Sequence, residues 1–220
     1  MKRGFGTNFH FVYKNNPELY HLFSMAEVFS PKLTKRLEGL FVGDILLDVA
    51  CGTCHKTNKF SNNFSKVYAL DISSSLLNYG NKIYGKNKKL NFILSSAASI
   101  PFIDKSIDTV FISWGSFPLK KTIREIKRVL KPGGVILRIG AFGEDDFTKL
   151  FPNFDIKRIK RIQGQFEKQG FIKEKHNVRI RFRDVETAKK ILSKIIKINP
   201  KKIVSKDIKH EVALHYYFNK

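Results

Sequence analysis

Apolar residues along the chain come in short runs separated by longer polar or amphipathic stretches. The runs at Ile45–Val49, 67–70, Leu90–Leu94, 109–112 and 135–139 are short, rich in branched and aromatic side chains, and predict buried strands. Between them, Ser74–Tyr84 reads as a helix and 124–130 as an amphipathic one, which stops at the turn Lys131-Pro132-Gly133-Gly134. Upstream, Leu19, Tyr20, Leu22, Phe23, Ala26, Val28 and Phe29 fall at roughly helical spacing within 17–40, and Pro31 breaks the pattern, predicting two short helices. Strands alternating with helices predict a parallel sheet wound on both faces. Past residue 140 the pattern loosens. A helix within 147–169 ends at Gly170, 171–183 alternates through Val178, Ile180 and Phe182 as a long strand, and Asp184 caps a helix that runs to about Ile198 before Asn199-Pro200. Residues 212–218 alternate as a last strand.

Length and composition fit one globular unit: 220 residues, 42% of them hydrophobic. No apolar run is long enough to span a bilayer, and the first residues (MKRGFGTNFHFVYKNN) lack the apolar centre of a signal peptide, so a cytoplasmic protein without membrane insertion is expected. The two cysteines, Cys51 and Cys54, are too few and too close for a disulfide scaffold. The formal net charge is +22, and residues 157–220 carry a disproportionate share, 19 basic against 6 acidic. That field attracts polyanions and leaves nucleic acid as a partner to consider.

The stretch ILLDVACGTCHKTNKFSNNFSKVYALD, from Ile45 to Asp71, is a strand, a small-residue turn opening a helix, and a second strand tipped by an acid. Such a unit is suited to hold a nucleoside, with Asp71 where a ribose would sit. Gly52 lets the backbone approach a ligand and take turn angles closed to other residues, while Asp71, as a carboxylate that only accepts, suits two ribose hydroxyls. A pair of solvated strand-end acids is the plainer alternative for Asp48 and Asp71.

The ordered segments LLDVACGTC, ALDIS, SSAASIPF, IDTVFISW and REIKRVLKPGG, spanning about residues 45–140, resemble the successive motifs of class I S-adenosylmethionine-dependent methyltransferases. The resemblance implies a Rossmann-like, doubly wound α/β fold with a mostly parallel seven-stranded sheet, a final antiparallel strand and N-terminal helices. It implies one methyltransferase domain over 1–220: an N-terminal helical cap at 1–44, a cofactor-binding core at 45–140 and a basic part at 141–220 that completes the sheet. It also implies S-adenosyl-L-methionine as cofactor, with Asp48 facing its cationic end, Ala50 and Gly52 in the turn, Asp71 at the ribose, Ile72 among the cofactor-binding residues, Ser96 and Ala97 at the adenine edge, and Ser113 and Trp114 where the methyl emerges; packing on a neighbouring helix is the alternative for Trp114. Ile100, Pro101 and Phe102 either wall the adenine or pack beneath it. The resemblance assigns no catalytic residue.

Three positions depart from the family's pattern. Ser96 stands where an acid commonly accepts from the adenine amino group, Cys54 where the last glycine of the first motif is usual, and Ala50 where its first glycine is usual. Cys51-Gly52-Thr53-Cys54-His55 also spells C-x-x-C-H; haem attachment lacks an export signal, zinc lacks a second pair, and a redox pair at a helix start stays open. Glu144-Asp145-Asp146 after the fifth strand orients an acceptor, serves as a base or is a solvated helix cap, and the six histidines show no triad-like spacing. The expected reaction is methyl transfer to a small-molecule acceptor. Two alternatives stand beside it: an RNA methyltransferase that uses the basic C-terminal third, and a non-catalytic nucleoside-binding module of the same fold.

Overall fold

A computed structural model describes residues 9–115 and 117–220. Helices α1 (Phe9–Asn15) and α2 (Pro17–Ala26) lead into a three-residue strand β1 (Glu27–Phe29) and helix α3 (Pro31–Glu38). The central part follows as β2 (Ile45–Val49), α4 (His55–Phe60), β3 (Lys66–Asp71), α5 (Ser74–Tyr84), β4 (Leu90–Leu94), β5 (Ile107–Ser113), α6 (Leu119–Val129) and β6 (Leu130–Ala141). The chain then runs through α7 (Ile156–Glu167), β7 (Ile172–Arg181), α8 (Val185–Ile196) and β8 (Asp207–Phe218). The leader expectation rests partly on residues 1–8, which lie outside the described residues.

Local chemistry sets the helix starts. Asn16, Ser30, Ser73, Asp155 and Asp184 each accept a hydrogen bond from the backbone N–H three residues on, and proline follows Asn16 and Ser30 at the first helical position, where its missing N–H costs nothing. Pro31 thus opens α3 rather than merely breaking a helix.

The strands form one eight-stranded sheet in the order β1-β7-β8-β6-β5-β2-β3-β4. β6, β5, β2, β3 and β4 are parallel, whereas β8 is antiparallel to both β6 and β7. All seven expected strands are there, and the eighth is β1, which pairs antiparallel with the edge of β7, Val28 opposite Arg179. Three residues are too few for a period-two pattern to stand out beside the helical spacing of α2, so Val28 and Phe29 read as helix in the sequence. The Lys131-Pro132-Gly133-Gly134 segment is likewise extended rather than a free turn: Gly133 N–H donates to Asn219 O at 2.6 Å and Asn219 N–H to Gly134 O at 2.8 Å. It bulges the β5–β6 pairing between Ile107 and Thr109.

Each face of the sheet buries its own core. On one face Leu47, Val110 and Ile136 pack under Ile123 and Ile126 of α6 and Phe166 of α7; on the other, Leu46, Phe111 and Leu137 meet Leu33 and Leu37 of α3 and Phe60 of α4. A third cluster joins α1, α2 and α8 through Val12, Leu19 and Leu192. Each such aliphatic residue contributes on the order of 1.5 to 3 kcal/mol by leaving water. The chain moves from β2 outward to β3 and β4, then crosses back to β5 on the other side of β2. This reversal opens a crevice at the carboxyl ends of β2 and β5.

Candidate active site

Asp48, near the end of β2, is only 2% exposed. Thr57 of α4 donates to its Oδ2, while Oδ1 is buried without a hydrogen-bond partner among the described residues. Burial pushes its carboxyl up to about 7, against the Thr57 hydrogen bond and Lys56, with the nearby Asp71 adding to the rise. On the neighbouring β5 tip, the Ser113 hydroxyl is also buried and unpartnered. Two unsatisfied polar atoms at the switch point mark where a polar ligand would be accepted.

Asp71 is also buried rather than solvated. Its Oδ2 accepts from Gly52 N–H at 2.9 Å and its Oδ1 from Ser73 N–H at 2.9 Å, tying the β3 tip to the β2–α4 turn. Burial raises its pKa, while these backbone donors act to lower it. Each oxygen keeps a lone pair for a ribose hydroxyl. Gly52 has φ +60°, and a Cβ built on it would lie 2.7 Å from the Tyr20 ring, so only glycine fits there. Tyr20 of α2 packs edge-on against Tyr13 of α1 at 4.9 Å, and the Asp71 charge helps raise the pKa of both phenols after burial. The N-terminal helices therefore cover this end of the crevice.

Ala50 and Cys54 have φ +61° and +63°, which explains the family's preference for glycine at both places. An L side chain in that region costs about 1 to 2 kcal/mol per residue. The Cys54 side chain is buried, donating from Sγ to Cys51 Sγ at 3.4 Å. His55 Nδ1 turns to the Tyr84 hydroxyl at 3.0 Å, and among the described residues no three metal-ligating side chains converge.

Ile72 is 75% exposed beside Asp71 and Leu94 is exposed at the β4 tip, two apolar surfaces where an adenine would lie. Ser96 accepts from Ala98 N–H at 3.2 Å in the next turn, and Ala97 packs on the α6-side core. Ile100 is core, and Phe102 packs on Tyr68 at 4.6 Å, which favours packing over a ligand wall for both.

Trp114 lies just past β5 with φ +62°, its backbone N–H bonded to Ile139 O. Its Nε1–H donates to Glu27 Oε1 of β1 at 2.7 Å, and the other Glu27 oxygen meets Lys56 Nζ at 2.7 Å. The indole stacks on the imidazole of His210, on β8, at 5.4 Å and 20°. His210 Nδ1 faces Asp145 Oδ2 at 2.8 Å, and Asp145 also receives the N–H groups of Phe147, Thr148 and Glu211. Asp145 is therefore a buried anchor, not a solvated cap. Burial works to raise its pKa, and the His210 and backbone bonds outweigh it and hold the carboxyl low.

Sequence reasoning missed Glu27, Lys56 and His210. Glu27 sat in an apparent helix, and His210 is 65 positions from its aspartate, with no spacing to announce the pair. An open depression of about 540 Å³ lies instead beside α7, lined by Phe142, Glu144, Lys160, Gln163 and Glu211, away from Asp48 and Asp71.

Residues 47–137 match the model of a protein family described as a methyltransferase domain. Within that span the chain is thus similar to methyltransferase domains. The ubiquinone/menaquinone biosynthesis C-methyltransferase UbiE of Pseudomonas savastanoi pv. phaseolicola is 33% identical to it over 158 residues, 58% of this chain and 62% of that protein. A demethylmenaquinone methyltransferase of Renibacterium salmoninarum is 35% identical over 102 residues, 45% of this chain and 42% of that one. The chain thus spans about 62% or less of the length of these relatives. In fold, the chain resembles a SAM-dependent methyltransferase from Aquifex aeolicus, with a TM-score of 0.61 at 22% identity, covering 94% of this chain and all of the other. Among the described residues no helix is long and apolar enough to cross a membrane.

Proposed function

We propose that this chain methylates a carbon of a small aromatic acceptor of the quinone-precursor class, with residues 45–140 binding S-adenosylmethionine and the flanking parts 1–44 and 141–220 walling the acceptor. The observation that carries the cofactor half is the buried Asp48 Oδ1, without a hydrogen-bond partner among the described residues, on the strand next to Asp71, which is itself tied to Gly52. The acceptor half is supported by the two relatives named for quinone biosynthesis and by the aromatic Trp114–His210 stack beyond β5.

When bound, S-adenosylmethionine supplies a methyl group activated by a sulfonium. The chain's residues bind and align. Asp48 would hold the amino group with its free oxygen, Asp71 the ribose hydroxyls, and Ile72, Ser96 and Ala97 the adenine. Tyr13 and Tyr20 close over Gly52 and keep water out; such exclusion and alignment are most of what methyl transfer asks of a protein. Ser113 and Trp114 border the acceptor side.

Calorimetry with S-adenosylhomocysteine tests the binding half. Binding that Asp71→Ala weakens by about 1 to 3 kcal/mol is expected, since hydrogen bonds to a charged group are lost; no binding at millimolar ligand ends this reading. Mass spectrometry of demethylmenaquinone incubated with protein and S-adenosylmethionine then tests the acceptor: a gain of one methyl group is expected.

A further inference from the structure

The pair Asp145–His210 is built like a proton acceptor, on a carboxylate that also anchors the loop after β6. Asp145 is fixed by three backbone donors on the loop after β6, and it holds His210 by Nδ1. A carboxylate at Nδ1 keeps the hydrogen on that nitrogen and leaves the lone pair on Nε2. That Nε2 is buried, in a residue only 1% exposed, and has no hydrogen-bond partner among the described residues. His55 and His215 also bury an unpartnered Nε2, but their Nδ1 atoms face the Tyr84 hydroxyl and Arg138; His210 alone of the three has a carboxylate at Nδ1.

Its position is equally specific. The ring is sandwiched between Phe147 at 4.9 Å and Trp114 at 5.4 Å, and the indole is partly exposed at the carboxyl tip of β5, next to the switch-point crevice. Trp114 is the face of this cluster that meets the outside. The other charged groups near the ring are Glu27, across the indole with Lys56 behind it, and Lys209 and Glu211, the neighbours along β8 whose side chains alternate to the opposite face, with Glu211 paired to Lys175.

We infer that His210 is the proton acceptor for a hydroxylated aromatic methyl acceptor, with Asp145 as its positioning residue and the Trp114 indole as a gate that the acceptor ring displaces. This rests on the proposed methyl transfer. The acceptor O–H bond breaks, the proton goes to Nε2, and the electron pair stays on oxygen and delocalises onto the ring carbon that takes the methyl group. After transfer, the hydrogen on that carbon leaves to water while His210 returns its proton to the oxygen. The net release is one proton, and the acceptor leaves as the methylated phenol. Asp145 stays ionised throughout and stabilises the imidazolium.

Trp114 is the single tryptophan of the chain, so its fluorescence reports on His210 directly. Wild type, His210→Gln and Asp145→Asn are compared by three measurements: calorimetry with S-adenosylhomocysteine, Trp114 fluorescence from pH 5 to 9, and methylation of 1,4-dihydroxynaphthalene under argon. The expected result is a quenching step in acid that His210→Gln abolishes, unchanged cofactor affinity in both variants, and a loss of kcat of about 100-fold or more for His210→Gln. The wild-type rate should fall on the acid side at the pH of the fluorescence step, and that limb should vanish in His210→Gln. Retention of kcat within about threefold, or an unchanged pH profile, overturns the inference. Cofactor binding without methylation of the probe also overturns it, since the acceptor class is then wrong. Failure of the wild type to bind S-adenosylhomocysteine instead removes the underlying methyltransferase reading.

Discussion

Asp48 shows what burying a single carboxyl does to the free protein. Its carboxyl sits at about 7 in the fold, against 3.8 when unperturbed, because it is buried. Between those values the native state holds a proton that the unfolded chain has released, so Asp48 makes stability fall as pH rises. His55 and His215 slope the other way: burial lowers both to about 3, and their contribution is lost as pH drops below the ordinary histidine range. Comparison with Asp48→Asn isolates the carboxyl. Urea unfolding should show the variant gaining on the wild type by about 4 kcal/mol between pH 4 and 8, given about 1.36 kcal/mol for each pKa unit. In the same variant S-adenosylhomocysteine should bind more weakly, and the drop in wild-type affinity on acidification through pH 7 should disappear. The sequence made Asp48, Gly52 and Asp71 legible because their order along one β-α-β unit carries the information. The polar saturation of those residues was not legible, since it depends on Thr57 and on burial.

The element that sequence reading lacked, β1, ties the front of the crevice together. Its Glu27 is buried and bound to both Trp114 and Lys56, so removing the carboxylate leaves a mostly buried ammonium unpaired. Glu27→Ala is expected to cost about 3 kcal/mol, in the range for breaking one side of a buried pair. Glu27→Gln, which still accepts from the indole, should cost less. Denaturant unfolding gives the cost, and a red shift of Trp114 emission in the alanine variant alone would show that the indole has come loose. The central strands were readable because four or five apolar residues in a row between helices admit few other placements. β1 and the Lys131–Gly134 segment were not, because their extended form comes from partners far along the chain, Arg179 and Asn219.

Over the whole molecule, the charge of +22 is only partly compensated locally. In the basic C-terminal third several cations are already engaged: Lys173 with Glu167, Lys175 with Glu211, Arg179 and Arg181 with Asp207. The strip read from the sequence as one polyanion surface is thus broken up by acids, which composition alone does not reveal. The remaining excess still repels itself, and salt screens it within about 10 Å at 0.1 M. Raising sodium chloride from about 20 to 300 mM should therefore raise the Tm by a few degrees, and a fall would show that the ion pairs outweigh the excess.

The sheet order has a consequence for how the chain is made. β1 is first among these strands in the chain, but it touches the sheet only through β7, and β7 is held to the parallel part only through β8, the last strand. During synthesis the parallel half, β2 to β5, can close on its own elements while Glu27 waits for residues 207–218 to leave the ribosome. Trp114 acquires its two partners, Glu27 and His210, in the same late event, so this side of the crevice is assembled only on molecules whose translation has run through to β8.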